Sequence, residues 1–292
     1  MAQLPMGLIS LDFDDLVTIF DTAVERDLGW VEIYLDVSAV ESDADRIRSA
    51  RAERGIGVVS VASMAKLSQA SEDEVSDHAA LIERSIRMAA AVGAPFATFM
   101  YGSQPTLGVR DARERFLRRV APLAELAAAS GVTLLVENVF SRGTPGDLDS
   151  VEVTLDLFER FDAAQVGLNF DPANFAIAGE DAYPRAYREL RHLIRYMHLK
   201  DVRPVTEDDE PLGNRRVLED HKRGKFLVVP FGEGILDVRG LIREVADDDR
   251  GVVVALEPTA KGSERTAWLD ASIAFLKSCG VMTAGIESAE AL

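Results

Sequence analysis

Four short motifs each place a side chain that can bind a metal at the end of an apolar segment. The motifs are VEN, FDPAN, HLKD and LEP, and their candidate ligands are Glu137, Asp171, His198 and Glu257. After Asp171, Pro172 lacks a backbone donor and ends the preceding strand, so the carboxylate is expected to point out of the strand end. Three carboxylates and one imidazole form an oxygen-rich set that suits Mn²⁺ or Mg²⁺ and accepts Co²⁺ or Zn²⁺. We therefore predict one bound divalent ion, with Mn²⁺ as the first choice.

Such an ion gives the two glutamates a defined chemical task. When it binds the carbonyl and a neighbouring hydroxyl of a sugar, it acidifies the C–H bond between them, because it stabilises the enediolate that forms on proton removal. Glu137 and Glu257 are the catalytic candidates, since removal of the proton by one and its return by the other on the opposite face inverts a stereocentre. If the enediolate instead expels a β-hydroxyl or a glycosidic oxygen, the same first step makes the enzyme a lyase. The residues alone leave both outcomes open.

Alternating strand and helix patterns predict how these residues are brought together. Apolar β-type runs lie at 6–10, 30–36, 57–63, 96–102, 132–138, 166–171, 196–201 and 252–258. Helical patterns lie at 14–27, 43–54, 72–92, 111–130, 150–161, 183–195, 237–247 and 264–277. Strict alternation and near-continuous apolar strands predict a single-domain (β/α)8 TIM barrel, with a doubly wound open sheet as the competing fold. In a barrel the carboxyl ends of all strands meet at one mouth, so the candidate ligands should converge there.

Together with FGEG at 231–234, the motifs resemble those of the xylose-isomerase-like TIM barrels, a family of sugar phosphate isomerases and epimerases. The resemblance covers nearly the whole chain. It implies that Glu137, Asp171, His198 and Glu257 bind one divalent ion, that the two glutamates flank the substrate carbon, and that the protein is a homodimer or homotetramer. It favours a metal-dependent isomerase or epimerase acting on a ketose or keto-sugar. The alternative is a dehydratase of an inosose-like keto-sugar or an eliminating lyase, including one that cleaves a 3-keto-glycoside.

The chain departs from the family pattern at one residue and in one segment. Ketose 3-epimerases tend to have a histidine three residues after the metal aspartate, where this chain has Asn174, so a substrate contact is expected to differ. Residues 202–225 form a charged, mostly polar insert with two prolines. We interpret this insert as a lid over the mouth or a subunit contact, with a mobile surface excursion as the alternative.

Further substrate contacts are predicted from position. Lys200 in HLKD either polarises a substrate hydroxyl and neutralises developing charge, or is a solvated lysine at the rim. Tyr101 lies at the predicted mouth, at the end of the fourth strand. Glu233 in FGEG either orients a metal ligand or lies in a glycine-flanked acidic turn. With Asn174, these residues complete the predicted substrate-binding set.

Composition restricts the classes of function and partner. A net charge of −17 and a pI near 4.7 oppose binding to nucleic acid and anionic lipid, and argue against a barrel endonuclease. The chain has neither an apolar run of membrane length nor an amino-terminal secretory signal, and its single cysteine, Cys279, forms no internal disulfide. We therefore expect a cytoplasmic protein that acts on a small-molecule sugar, with the barrel in residues 1–280 and a tail without a strand pattern at 281–292. A glycosidase that uses Glu137 and Glu257 and a sugar-binding protein without activity are the remaining alternatives.

Overall fold

Eight parallel strands close into a barrel in the computed structural model, which describes residues 2–11, 13–35, 43–68, 72–102, 109–140, 148–161, 165–209, 216–248, 250–258 and 260–284. Numbered along the chain, the barrel strands are β1 (Ala2–Ile9), β2 (Trp30–Tyr34), β3 (Gly57–Lys66), β4 (Phe96–Met100), β5 (Thr133–Glu137), β6 (Val166–Phe170), β7 (Ile194–Leu199) and β11 (Val253–Leu256). Consecutive barrel strands are neighbours, and β11 closes the ring by pairing with β1, with Met6 opposite Val254. This confirms the predicted single-domain (β/α)8 TIM barrel.

Helices cover the outside of the barrel and bury the outer faces of its strands. They are α1 (Leu16–Glu25), α2 (Ala44–Arg54), α3 (Glu72–Val92), α4 (Val109–Ala129), α5 (Val151–Phe158), α6 (Pro172–Ala178), α7 (Tyr187–Leu190), α8 (Val238–Ala246) and α9 (Gly262–Ser278). Phe116 of α4 packs against Phe99 of β4, with ring centroids 6.1 Å apart. Trp30, Leu135 and Tyr196 belong to a second apolar cluster. The strands are therefore apolar throughout because both faces are buried. Across the described residues, we find no helix with the length and apolar character that a bilayer crossing requires.

A small antiparallel sheet follows β7 and includes part of the predicted insert. Its strands are β8 (Asp201–Pro204), β9 (Val217–Asp220) and β10 (Gly224–Val229), in the order β8-β10-β9. Val202, Leu218 and Phe226 of this sheet pack with Phe140 and Ile177 in an apolar cluster of their own. Packed side chains therefore attach the insert to the barrel, in contrast to the loose excursion that was the alternative. Residues 210–215 of the insert lie outside the described ranges.

The sequence patterns do not predict helix α6, which has only seven residues. Its start nevertheless has a typical signal, because Asp171 is the N-cap and Pro172 occupies the first turn. At its other end, Nη1 of Arg223 from the small sheet donates to the carbonyl oxygen of Ala176 at 2.6 Å. The same carbonyl accepts from the backbone N–H of Gly179 at 3.1 Å, so the arginine adds a second donor at the end of the helix. The small sheet and α6 therefore support each other.

The predicted helix at 183–195 is divided into shorter elements. A π-helix covers Ala182–Ala186, α7 covers Tyr187–Leu190, and β7 already begins at Ile194. Tyr183 precedes Pro184 and has an extended conformation, with φ −150° and ψ 129°. A residue before proline favours this region of φ and ψ, so a continuous helix cannot form here.

The tail begins with a strand, so the prediction that it lacks one was wrong for its first residues. Strand β12 (Val281–Ala284) pairs in parallel with β1, with Ala2 opposite Val281. The reason is that β1 begins at Ala2, before the predicted residue 6, and its extra length offers a free edge that another strand can pair with. Residues 285–292 lie outside the described ranges.

Candidate metal centre

The carboxyl ends of three neighbouring strands bring three of the four predicted ligands together. Glu137 is the last residue of β5, Asp171 follows β6 directly, and His198 lies near the end of β7. All three side chains are buried, and one ligand atom from each lies within 4.8 Å of the others. Glu257 follows β11 and lines the same pocket, but it is not part of this compact group. The barrel mouth therefore gathers the predicted ligands, with Glu257 set apart.

Lys200 links Glu257 to the compact group. Its Nζ donates to Oε2 of Glu257 at 2.6 Å and also bonds to Oδ2 of Asp171. The side chain is buried, which excludes the alternative of a solvated lysine at the rim. An ammonium group between two buried carboxylates offsets part of their mutual repulsion. Lys200 is thus an internal cation of the candidate centre.

Asp171 is held through both its side chain and its backbone. Its Oδ1 accepts hydrogen bonds from the backbone N–H groups of Ala173 and Asn174 at 2.9 and 3.1 Å. The side chain of Asn138 forms two hydrogen bonds of 2.8 Å with the Asp171 backbone, since its Nδ2 donates to the carbonyl and its Oδ1 accepts from the N–H. These contacts fix the carboxylate and leave Oδ2 for Lys200 or a metal ion.

Asn174 lies in the first turn of α6 and contacts the first predicted ligand. Its Nδ2 donates to Oε1 of Glu137 at 3.3 Å and to the carbonyl oxygen of Asn138 at 2.9 Å. The side chain is buried and lines the pocket. Asn174 therefore orients the Glu137 carboxylate, while its contact with substrate stays a prediction.

His198 is held on one side by a residue that sequence reasoning missed. Its Nε2 lies 2.9 Å from Oε1 of Glu32 on β2 and 3.1 Å from Nδ2 of Asn169. Its Nδ1 lies 3.5 Å from Oε1 of Glu137. The ring of Tyr196 packs edge-on against the imidazole, with centroids 5.2 Å apart. The signal for Glu32 in the sequence is a lone acidic residue inside the apolar run WVEIY.

Burial and neighbouring charges shift the pKa of the groups in this cluster. Burial raises the pKa of the Asp171 carboxyl to about 6, although Lys200 opposes the shift. Burial also raises the pKa of Glu257, but the neighbouring cations Lys200, His198 and Arg216 together outweigh it, so the pKa falls below its ordinary value. For His198, burial lowers the pKa, whereas two neighbouring glutamates raise it well above its ordinary value. The excess of acidic groups in the cluster favours the binding of a further cation.

Two buried atoms of the compact group have no hydrogen-bond partner within the described part of the chain, namely Oε2 of Glu137 and Nδ1 of His198. A buried polar atom without a hydrogen-bond partner is costly unless another group satisfies it. Carboxylate oxygens with one imidazole nitrogen are ligands that Mn²⁺, Mg²⁺ and Zn²⁺ accept. The residues therefore fit a divalent cation held by Glu137, Asp171 and His198, with Glu257 as the fourth candidate ligand.

Two of the candidate ligands, Glu137 and Glu257, line a pocket that contains both polar and apolar side chains. Its lining residues are Leu11, Tyr34, Met64, Met100, Glu137, Val139, Phe140, Asn174, Lys200, Arg216, Leu218 and Glu257. Arg216 directly precedes β9, and Leu218 lies within it. The insert therefore forms part of the pocket wall.

Comparison with known proteins agrees with the fold. The family described as "Xylose isomerase-like TIM barrel" matches residues 20–279. The chain belongs to this family. Among curated proteins, an inosose dehydratase from Mesomycoplasma hyopneumoniae is 33% identical over 98 residues, which are 34% of this chain and 32% of that protein. This match therefore spans about a third of the relative's length.

Solved structures share the xylose isomerase-like barrel at low sequence identity. The 3-keto-D-glucoside 4-epimerase YcjR from E. coli has a TM-score of 0.73 at 17% identity, covering 95% of this chain and 100% of that chain. The IOLI protein with a binding zinc atom has a TM-score of 0.70 at 14% identity, covering 95% of this chain and 96% of that chain. At such identities the likeness shows the fold alone.

Two of the predicted substrate contacts, Tyr101 and Glu233, do not lie with the candidate metal ligands. The ring of Tyr101 is buried against Phe116, with centroids 4.6 Å apart. Glu233 is exposed at the surface of the FGEG turn. Neither residue belongs to the described lining of the pocket.

The FGEG segment instead surrounds the carboxylate of Asp201, the last residue of HLKD. Oδ2 of Asp201 accepts from the backbone N–H groups of Gly232 and Gly234 at 3.0 and 3.1 Å. Oδ1 accepts from the N–H groups of Val202 and Leu236 at 2.9 and 3.2 Å. Both carboxylate oxygens are thus satisfied by backbone donors. The acidic residue of HLKD therefore fixes the loop that leaves the small sheet.

Proposed function

We propose that this protein is a divalent-metal-dependent isomerase or epimerase that removes a proton next to the carbonyl of a ketose or keto-sugar. The observation that carries the proposal is that Glu137 and Glu257 line one pocket beside Asp171 and His198. Two carboxylates in a pocket that fits a divalent ion form a suitable set for proton transfer at carbon. The similarity of the fold to the E. coli 3-keto-D-glucoside 4-epimerase supports this class of reaction.

Each charged side chain of the pocket has a separate role in the proposed proton transfer. A divalent ion at Glu137, Asp171 and His198 would supply Lewis acidity to the substrate carbonyl. Glu257 is the first candidate for the base, because it lies outside the compact group of ligands. Glu137 is the candidate that returns the proton on the other face, which inverts the stereocentre. The ammonium of Lys200 donates a hydrogen bond to the oxygen that gains negative charge.

The pocket suits a small sugar or polyol. Apolar and charged side chains line it together, as in most small-molecule sites. Met64, Met100 and Phe140 contact the C–H groups of such a substrate, while the charged groups bind its hydroxyl and carbonyl oxygens. Burial of Glu137 and Glu257 limits the access of water to the reacting carbon.

A dehydratase is the second candidate, and the position of Lys200 favours it. Its Nζ lies 2.6 Å from Oε2 of Glu257, so a cation lies beside the candidate base. After the C–H bond breaks, expulsion of a β-hydroxyl requires a proton on the leaving oxygen. Glu257 can return the proton that it took from carbon, while Lys200 stabilises the leaving oxygen so that water departs. The partial match to inosose dehydratases supports this alternative. A lyase that cleaves a 3-keto-glycoside would use the same groups.

Mn²⁺ is our proposal for the resident ion, because three carboxylates and one imidazole match its preference for oxygen-rich sites. Mg²⁺, Co²⁺ and Zn²⁺ are the expected substitutes, and the zinc atom named for the IOLI structure supports metal binding by this fold. Metal analysis of protein purified without added ions tests this choice. The cytoplasmic location and the homodimeric or homotetrameric state stay predictions.

Proton NMR in D₂O with a panel of ketoses, inososes and 3-keto-glycosides tests the proposed reaction. An epimerase or isomerase introduces deuterium next to the carbonyl and yields a new isomer, whereas a dehydratase or lyase yields an unsaturated product. Metal-free protein and Glu257→Gln serve as controls, and both should be inactive. Absence of exchange and of product across the whole panel with Mn²⁺-loaded protein would contradict the proposal.

A further inference from the structure

We infer that Glu32 is a positioning residue for the metal ligand His198, whose imidazole it holds with Nδ1 facing the other ligands. The inference rests on the proposed metal-dependent function and assigns a role to a residue outside the four strand-end motifs. Oε1 of Glu32 lies 2.9 Å from Nε2 of His198, and both residues are 0% exposed. A carboxylate buried this deeply requires a partner that compensates its charge.

The contact crosses the inside of the barrel. Glu32 lies on β2 and His198 on β7, and these strands are not neighbours in the sheet. The two side chains therefore meet through the barrel interior rather than along a pair of adjacent strands. The edge of the Tyr196 ring against the imidazole limits rotation of the His198 side chain further. The ring is thus fixed by contacts that lie below the mouth.

The chemistry of the contact determines which nitrogen can bind a metal. A carboxylate accepts hydrogen bonds, so Nε2 must carry a proton for a favourable contact with Glu32. A neutral imidazole protonated on Nε2 has its lone pair on Nδ1. Nδ1 lies 3.5 Å from Oε1 of Glu137 and has no hydrogen-bond partner within the described residues. The Asn169 amide near Nε2 is compatible with this assignment, because rotation of the amide exchanges its oxygen and nitrogen.

A direct ligand role for Glu32 does not agree with its position. The compact group of ligand atoms within 4.8 Å of one another contains Glu137, Asp171 and His198, and Glu32 is outside it. A carboxylate that accepts from the distal nitrogen of a metal-bound histidine makes the imidazole a stronger ligand. The positive charge that the metal places on the imidazole in turn compensates the buried charge of Glu32.

Three variants separate this positioning role from a structural one. Glu32→Leu removes the acceptor, whereas Glu32→Gln keeps the size and one accepting oxygen but removes the charge. Thr98→Val is the matched control, because Thr98 makes a buried hydrogen bond of 2.8 Å to Ser60 within the barrel. The affinity for Mn²⁺ is measured by equilibrium dialysis of each metal-free protein. Histidine NMR of the Zn²⁺-loaded proteins reports the hydrogen bond at Nε2.

The affinity for Mn²⁺ is expected to fall about 10–100-fold in Glu32→Leu, with a smaller loss in Glu32→Gln and none in Thr98→Val. The Nε2 proton of His198 should resonate far downfield in the wild type and in Glu32→Gln, and move upfield in Glu32→Leu. A structural role alone would not move this resonance. If Glu32→Leu does not fold, the Mn²⁺ affinity of Glu32→Gln alone tests the inference.

Wild-type Mn²⁺ affinity in both Glu32 variants would overturn the inference and leave the proposed function intact. A wild-type protein that binds no divalent ion would overturn the proposed function, and the inference with it. The two failures are therefore distinguishable in a single set of dialysis measurements.

Discussion

Lys200 and Asp201 are adjacent in the chain, yet they belong to two buried charged sites of different kinds. The carboxylate of Asp201 has both oxygens satisfied by backbone N–H groups of the surrounding loop. Lys200 lies among carboxylates of which one, Glu137, has an oxygen without a hydrogen-bond partner in the described residues. A buried charge with complete hydrogen bonds stabilises the fold, whereas an incompletely matched cluster indicates a ligand site.

Removal of a pocket carboxylate should affect activity far more than stability. Glu137→Gln and Glu257→Gln are each expected to lower the rate of proton exchange by about 10²–10⁴-fold, because a positioned acid or base is lost. Stability should change little in Glu137→Gln, which keeps the size and removes one of several like charges, and should fall more in Glu257→Gln, which removes a partner of Lys200. Initial rates and urea unfolding measure the two effects. Glu219→Gln, at an exposed position of β9, is the control, and wild-type activity in Glu137→Gln would contradict the account.

Lys200→Met tests whether the ammonium compensates the pocket carboxylates. The variant leaves Asp171 and Glu257 without their internal cation, so the metal-free protein is expected to lose about 3–5 kcal/mol of unfolding free energy. Saturating Mn²⁺ should restore part of this loss, because the ion binds the folded state. Urea unfolding with and without Mn²⁺ provides the measurement. Equal stability of the variant and the wild type in the absence of metal would show that Lys200 has no such role.

Asp201→Asn, unlike the pocket variants, should lower the stability of the fold and leave metal binding unchanged. Asparagine keeps one accepting oxygen but places an amide N–H₂ group against backbone donors, with an expected cost of about 2 kcal/mol in unfolding free energy. The affinity for Mn²⁺ should stay close to that of the wild type, because the metal ligands lie on the barrel strands. Asp208→Asn, at an exposed position of the insert, is the control. If Asp201→Asn loses more free energy of Mn²⁺ binding than free energy of unfolding, the distinction between the two sites is wrong.

Asp248, a carboxylate outside the two compared sites, adds a dependence on pH to the comparison. Asp248 pairs with Arg191 at 2.9 Å and with Arg250 at 2.6 Å, and the hydrogen bond from Arg191 holds the pKa of Asp248 below its ordinary value. Its contribution to stability is therefore complete above the unfolded pKa of about 4 and is lost as the pH falls through the folded pKa. The contribution should be about 1 kcal/mol or less, because Arg191 is half exposed and solvent screens the pair.

Urea unfolding of the wild type and Asp248→Asn between neutral and acidic pH measures this effect. The stability difference should be largest at neutral pH and should shrink on acidification. A difference that is independent of pH would show that Asp248 acts through packing rather than through its charge.

The barrel and its predicted ligands could be read from the sequence because the information is local. Strands β5, β6, β7 and β11 each have an acidic residue or a histidine at or next to their carboxyl end, and the alternation of strands and helices places those ends at one mouth. Asp171 has two roles in the structure. Its Oδ1 caps α6, and its Oδ2 belongs to the candidate centre. The cap was visible as Asp-Pro, but a helix of seven residues is too short to show a periodic pattern.

The features that sequence reasoning missed depend on tertiary contacts. Glu32 meets a partner 166 residues away, so neither strand alone indicates the pair. The burial of Lys200 and the closure of FGEG around Asp201 likewise become visible once the strand ends are placed in space. The position of Tyr101 at a strand end suggested the mouth, but its ring packs on Phe116 because strand side chains alternate between the two faces.

Metal binding by wild-type protein and by Asp171→Asn tests the central claim most directly. After exhaustive chelation, the wild type should be inactive, take up one Mn²⁺ per chain in equilibrium dialysis, and regain activity in proportion to the bound metal. Asp171→Asn should bind Mn²⁺ far more weakly while it remains folded. Full activity of chelated wild-type protein, or equal Mn²⁺ binding by both proteins, would contradict a metal centre built from Glu137, Asp171, His198 and Glu257.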